Sequence, residues 1–151
     1  MRLTVPTPDD MQALGERLAA VLAAGDLVVL SGSLGAGKTT LAQGIGRGLA
    51  VDGAVVSPTF VIARVHRGPL PLVHVDAYRL SSIVEVDDLD LDASLDESVT
   101  LVEWGEGLVE GLSGARLEIR ITRPDDDGDE TRTVELAAVG DRWSNVDLSA
   151  I

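Results

Sequence analysis

Apolar residues in this chain fall into short runs, and their spacing changes character from run to run. Leu3 to Val5 is a short strand candidate. Met11, Leu14, Leu18, Val21 and Leu22 return at intervals of three and four, the period of a helix with one buried face. Thr7 stands where an N-cap belongs, Pro8 at the first helical position, and Asp9 and Asp10 in the first turn. Acids there meet the positive end of the helix dipole. Gly25 is the expected stop. Leu27 to Leu30 is apolar without interruption, as in a strand buried on both faces. A glycine-rich stretch follows, and Thr40 to Leu49 predicts a second helix.

Further along, Val55 and Val56 lead into Ser57-Pro58-Thr59-Phe60. Val61 to His66 and Leu72 to Asp76 predict strands on either side of the turn residues Gly68-Pro69-Leu70-Pro71. Ser82 to Ser98 is acidic and partly helical in pattern; Leu101 to Trp104 is another apolar strand. Leu117 to Thr122 and Thr131 to Val139 flank the turn signal Asp125-Asp126-Asp127-Gly128 and predict a hairpin. No repeat or linker interrupts the series. The expectation is a single α/β domain over residues 1–151: a mainly parallel sheet with antiparallel additions, and helices on both faces.

Composition narrows the class. The 151 residues suit one core, and 45% apolar content fits a globular chain. Without cysteine there are no disulfides or thiolate metal sites, which agrees with a reducing, cytoplasmic setting. No apolar run approaches the ~20 residues that span a membrane. The net charge of -13 would repel a polyanion such as tRNA or DNA from the average surface, so any service to nucleic-acid chemistry is expected to be indirect, through a partner. Of the twelve Lys and Arg residues, Lys38 alone is lysine. A compact ammonium fits among phosphate oxygens inside a tight backbone loop better than a planar guanidinium does.

Gly32 to Thr39 reads Gly-Ser-Leu-Gly-Ala-Gly-Lys-Thr, which fills the G-x-x-x-x-G-K-[ST] pattern between a buried strand and a helix. Gly32, Gly35 and Gly37 permit close backbone approach, so successive N–H groups of Ser33, Leu34, Gly35, Ala36, Gly37, Lys38, Thr39 and Thr40 can face phosphate oxygens. The helix beginning near Lys38 adds its positive end. Lys38 is placed to reach the β- and γ-phosphates, and the Thr39 hydroxyl to ligate Mg²⁺. The ligand class is a nucleoside triphosphate with Mg²⁺.

Three more segments bear on the reaction. Asp76 ends the apolar strand of His74-Val75-Asp76, where a carboxylate can hold Mg²⁺ directly or through water; an Asp capping a turn is the alternative. Glu103 ends Leu101-Val102-Glu103 in the same way and can complete the Mg²⁺ shell or orient the attacking water. The alternative is a solvent-facing carboxylate on an edge strand. Pro58 forces Ser57 to be extended, which can present Thr59 to the metal or the γ-phosphate or simply begin a strand.

The loop, Ser-Pro-Thr-Phe, His-Val-Asp-Ala-Tyr-Arg-Leu and Val-Glu-Trp occur in that order with short spacings. Together they resemble the bacterial TsaE family (older name YjeE) over roughly residues 7 to 122. The resemblance implies a P-loop α/β sandwich and a small ATPase acting with TsaB and TsaD in forming threonylcarbamoyladenosine in tRNA. Such a protein hydrolyses ATP to keep that complex turning over and does not form the modified base itself. By motif match, Lys38 and the loop backbone bind phosphates, and Thr39 and Glu103 serve Mg²⁺. Asp76 is the Walker-B-like acid, Thr59 the switch-like threonine, and Trp104 a neighbour of the nucleotide.

The chain departs from the family pattern in Ser82 to Ser98, which lacks a Leu-Gly signature and carries seven acids from Glu85 to Glu97. Asp88-x-Asp90-x-Asp92 does not make a calcium loop. Ala93 stands where the sharp turn needs glycine, and Val99 where the bidentate Glu belongs. A solvated acidic face is the simpler reading. A GTPase base reader of the Asn-Lys-x-Asp kind is excluded, because Lys38 is the sole lysine. A small-molecule kinase is the rival reading; it would need an acceptor pocket and an arginine-bearing lid, for which Arg64, Arg67 and Arg79 are the candidates.

Overall fold

The computed structural model describes residues 1–32, 37–51, 63–76, 97–103, 115–123, 131–148 and 151. Its elements are β1 (Arg2–Val5), α1 (Pro8–Ala19), β2 (Leu27–Gly32), α2 (Lys38–Gly48), β3 (Ala63–His66), β4 (Leu72–Asp76), β5 (Val99–Glu103), β6 (Arg116–Thr122) and β7 (Arg132–Val139), followed by a 3₁₀ turn at Asp141–Trp143. The strands form one sheet in the order β1-β7-β6-β2-β5-β4-β3. Strands β4, β5, β2 and β6 are mutually parallel and occupy the centre. The margins are antiparallel, β3 against β4 on one side and β7 against both β6 and β1 on the other. This is the α/β sheet with antiparallel additions that the strand spacing predicts.

Burial follows the strands' composition. Leu27, Val28, Val29 and Leu30 are at most 3% exposed, and all five residues of β5 are buried, because central parallel strands are covered on both faces. In β6 only Leu117, Ile119 and Ile121 are buried, so alternation replaces the continuous run where the sheet turns antiparallel. Val28, Leu30, Leu101, Leu117 and Ile119 share one core with Met11, Leu14 and Leu18 of α1 and Leu41, Ala42 and Ile45 of α2. The two described helices therefore lie on one face. The opposite row of Val29, Val75 and Val102 is also buried, and helices expected over that face fall outside the described residues.

Helix α1 starts as its sequence predicts. Thr7 is extended at φ -134°, its hydroxyl oxygen accepts from the Asp10 N–H at 3.2 Å, and Pro8 opens the first turn. It stops earlier than expected, at Ala19 and not at Gly25. Asp26 accepts the Ala23 N–H at 2.7 Å, and Arg142 binds the Val21 carbonyl at 3.0 Å. Both bonds favour the non-helical course, while Leu22 still reaches the core. Gly25, at φ 94°, makes the turn into β2.

Helix α2 begins at Lys38, two residues before the sequence boundary, directly after Gly37 at φ 112°. It is held by an unusually close approach to α1. A Cβ on Gly44 would lie 2.2 Å from the Gln12 carbonyl oxygen, and one on Gly15 would lie 2.5 Å from that of Leu41. Only glycine at these positions lets the two backbones meet, so α1 fixes the helix that opens with Lys38.

Candidate functional site

Register brings the predicted chemistry to one edge of the sheet. Glu103, the last residue of β5, pairs with Leu30 of β2 on one side and with Asp76, the last residue of β4, on the other. Because all three strands are parallel, the glycine loop leaves β2 at the same end at which Asp76 and Glu103 stand. In open α/β sheets this carboxyl end is where ligands bind.

Lys38 sits at the mouth of the loop. It is 7% exposed, and its Nζ donates to the Gly32 carbonyl oxygen at 2.7 Å. The first residue of α2 thus reaches back to the last residue of β2, which joins the two ends of the loop through a side chain. Thr39 and Thr40 follow in the first turn, partly buried.

Glu103 is the most unusual group in the site. It is 3% exposed, and it stands on a central strand, which removes the solvent-facing alternative. Its Oε1 has no hydrogen-bond partner among the described residues. Nε2 of His74 approaches its Oε2 at 3.7 Å, too far for a hydrogen bond. A buried carboxylate this poorly compensated costs several kcal/mol, and a cation is the partner that would remove the cost. Among the described residues no group of three or more His, Cys, Asp or Glu side chains gathers as a metal cage.

Backbone register places Asp76 beside Glu103 and does not choose between metal binding and turn capping. Ser33, Leu34, Gly35, Ala36, Thr59 and Trp104 lie outside the described residues, as does the acidic stretch from 82 to 96. Of the sequence-derived set, the structure brings together Gly37, Lys38, Thr39, Asp76 and Glu103 by strand order and helix start. It adds His74, to which the local sequence assigned no role. The signal for His74 is the register between β4 and β5, a long-range pairing that local pattern does not carry. None of the described helices is long and apolar enough to cross a membrane.

Fold and site together define an open α/β protein with a glycine loop of the Walker A pattern at the carboxyl end of a central parallel strand. The chain belongs to the TsaE family, whose model, described as threonylcarbamoyl adenosine biosynthesis protein TsaE, matches residues 5–134. It is 60% identical over 147 residues to the tRNA threonylcarbamoyladenosine biosynthesis protein TsaE of Streptomyces coelicolor, covering 93% of this chain and 99% of that protein. The protein of the same name from Bacillus subtilis is 41% identical over 138 residues, covering 90% and 84%. The crystal structure of Bacillus subtilis YdiB matches with a TM-score of 0.74 and 34% identity, over 95% of this chain and 88% of that one.

Proposed function

We propose that this chain is an ATPase of tRNA threonylcarbamoyladenosine biosynthesis, which binds Mg-ATP at residues 32–40 and hydrolyses it to support turnover of a TsaB–TsaD complex. The observation that carries the reading is Glu103, a buried carboxylate with an unpartnered oxygen, at the strand edge where the Walker A loop begins. Backbone N–H groups of the loop and the first turn of α2 bind the phosphates. Lys38 exchanges the Gly32 carbonyl for phosphate oxygens. Thr39 and Glu103 serve the metal, Asp76 holds its water shell, and Thr59 contacts the γ-phosphate end. A Mg²⁺ ion held by Thr39 and Glu103 would supply positive charge to offset the negative charge that develops as the bond to the leaving ADP breaks. Glu103 orients the water that attacks the γ-phosphorus, giving ADP and inorganic phosphate.

The chain does not modify the base, and with a net charge of -13 it meets tRNA through its protein partners. The test is phosphate release by the full chain with and without TsaB and TsaD, followed by a panel of small hydroxyl acceptors. Stimulation by the protein pair supports the reading. Acceptor-dependent ADP formation with no effect of the pair would replace it with a small-molecule kinase.

A further inference from the structure

His74 occupies a position where an apolar side chain would be expected. In register it lies in a row with Leu101 of β5, Val28 of β2 and Leu117 of β6, all fully buried. The imidazole is itself 0% exposed, and neither ring nitrogen makes a hydrogen bond among the described residues. An unsatisfied buried polar group of this kind is destabilising, and a leucine would avoid that cost. Its charged neighbour among the described residues is Glu103, with Nε2 3.7 Å from Oε2, and the other oxygen of that carboxylate is unpartnered as well. Two buried groups, each short of a bond, therefore stand a small side-chain adjustment from making one. Hydrogen bonds to reacting groups are commonly long before the reaction complex forms and tighten within it.

We propose that His74 is a positioning residue for Glu103: its Nε2–H donates to Oε2 in the Mg-nucleotide complex and fixes the carboxylate in one orientation, leaving Oε1 for the metal or the water. This rests on the assignment of Glu103 to the hydrolytic site. An imidazole suits the task because its donor is rigidly held on a ring, and the β4–β5 register keeps that ring beside the acid. A carboxylate left to rotate in a dry pocket would spend less of its time in the productive orientation, and partners that orient a metal ligand typically contribute about 10–100-fold.

The test uses the full chain with TsaB and TsaD, measuring single-turnover hydrolysis of Mg-ATP and, separately, nucleotide affinity. His74→Leu should lower the hydrolysis rate by about 10–100-fold and leave the ATP Kd within about threefold of the parent. His74→Gln, whose amide nitrogen can take the place of Nε2, should recover most of the rate, and His74→Asn, whose amide is too short, should not. In a Glu103→Gln background, His74→Leu should cause no further loss, because the group it positions is already disabled. If His74→Leu fails to fold, the Gln and Asn pair decides. Equal rates for those two, both lower than the parent's, would show a packing role and overturn the proposal. A parent-like rate for His74→Leu, or losses that multiply fully with Glu103→Gln, would also overturn it while leaving the ATPase reading in place. A parent-like rate for Glu103→Gln alone would overturn the proposal together with the assignment of Glu103 to the hydrolytic site.

Discussion

The two ends of the parallel strands each hold a buried carboxylate, and they are treated in opposite ways. At the amino end Asp26, 4% exposed, precedes β2. It accepts the Ala23 N–H at 2.7 Å and a two-pronged pair from Arg142, Nε to Oδ1 at 3.0 Å and a terminal nitrogen to Oδ2 at 3.1 Å. Arg142 also binds the Val21 carbonyl and lies 4.6 Å from the centre of the Trp143 ring. At the carboxyl end Glu103 is buried to the same degree and keeps one oxygen without a partner among the described residues. Similar burial with opposite satisfaction separates the roles. Asp26 ties the 3₁₀ turn at Asp141–Trp143 to the base of the sheet, whereas in the proposed function Glu103 turns its open oxygen to a ligand.

The largest expected effect that could break this contrast is at the carboxyl end. Glu103→Ala should still bind ATP while hydrolysis falls on the order of 10²-fold or more, the size seen when one preorganised electrostatic contact is lost. Its melting temperature should not fall, because the substitution removes a poorly compensated buried charge. A Glu103→Ala protein that melts well below the parent would make Glu103 a second Asp26, a structural group. Lys38→Arg should lose turnover on the same order, since a planar guanidinium does not replace the ammonium among phosphate oxygens. A Lys38→Arg variant as fast as the parent would show that charge alone matters there.

At the amino end the expected response is inverted. Arg142→Ala strands Asp26 in a buried position and should cost about 2–3 kcal/mol, less than a fully buried pair because Arg142 is itself partly exposed. For a domain of this size that is a fall in melting temperature of roughly 5–10 °C. Hydrolysis measured well below the melting transition should match the parent. A thermal melt and a phosphate assay on the same preparation check both halves, and a rate loss at 20 °C would mean that the two ends are linked.

How legible these ends were in the sequence differs for a physical reason. The start of α1, the buried run of β2 and the glycine loop are local signals, and the structure places Thr7, Leu27–Leu30 and Lys38 in the roles of N-cap, core strand and loop-to-helix junction. The end of α1 is not legible in the same way, because part of what favours the non-helical course after Ala19 is the bond from Arg142 to the Val21 carbonyl, between residues 121 apart in sequence. Val21 and Leu22 carry the right period for a helix whose course is set elsewhere. The role of His74 is not legible locally for a related reason. Its motif gives a histidine two residues before Asp76, but only the pairing of β4 with β5 reveals that it faces Glu103. Thr59, Trp104 and the middle of the loop remain sequence-derived assignments.

The smallest expected effect is the sharpest test of whether the two ends are independent. Asp26 and the Leu30–Glu103 pair are separated by four residues of β2, roughly 13 Å at the rise of an extended strand. Among the described residues they share no partner: Asp26 bonds Ala23 and Arg142, whereas Glu103 faces His74. Substitutions this far apart usually add to within about 0.5 kcal/mol. Combining Arg142→Ala with Glu103→Ala should therefore give the melting loss of the first and the rate loss of the second, with no coupling in either measurement. The intervening strand argues the same way. Leu27 to Leu30 are packed on both faces, and a close-packed strand of this kind has no second arrangement through which one end could bias the other. A coupling well above that limit, in a double-mutant cycle read by both melting and single-turnover hydrolysis, would mean that β2 moves as a rod between its ends. The Arg142 clamp would then be part of the machinery that sets Glu103 and not only an anchor for the chain terminus.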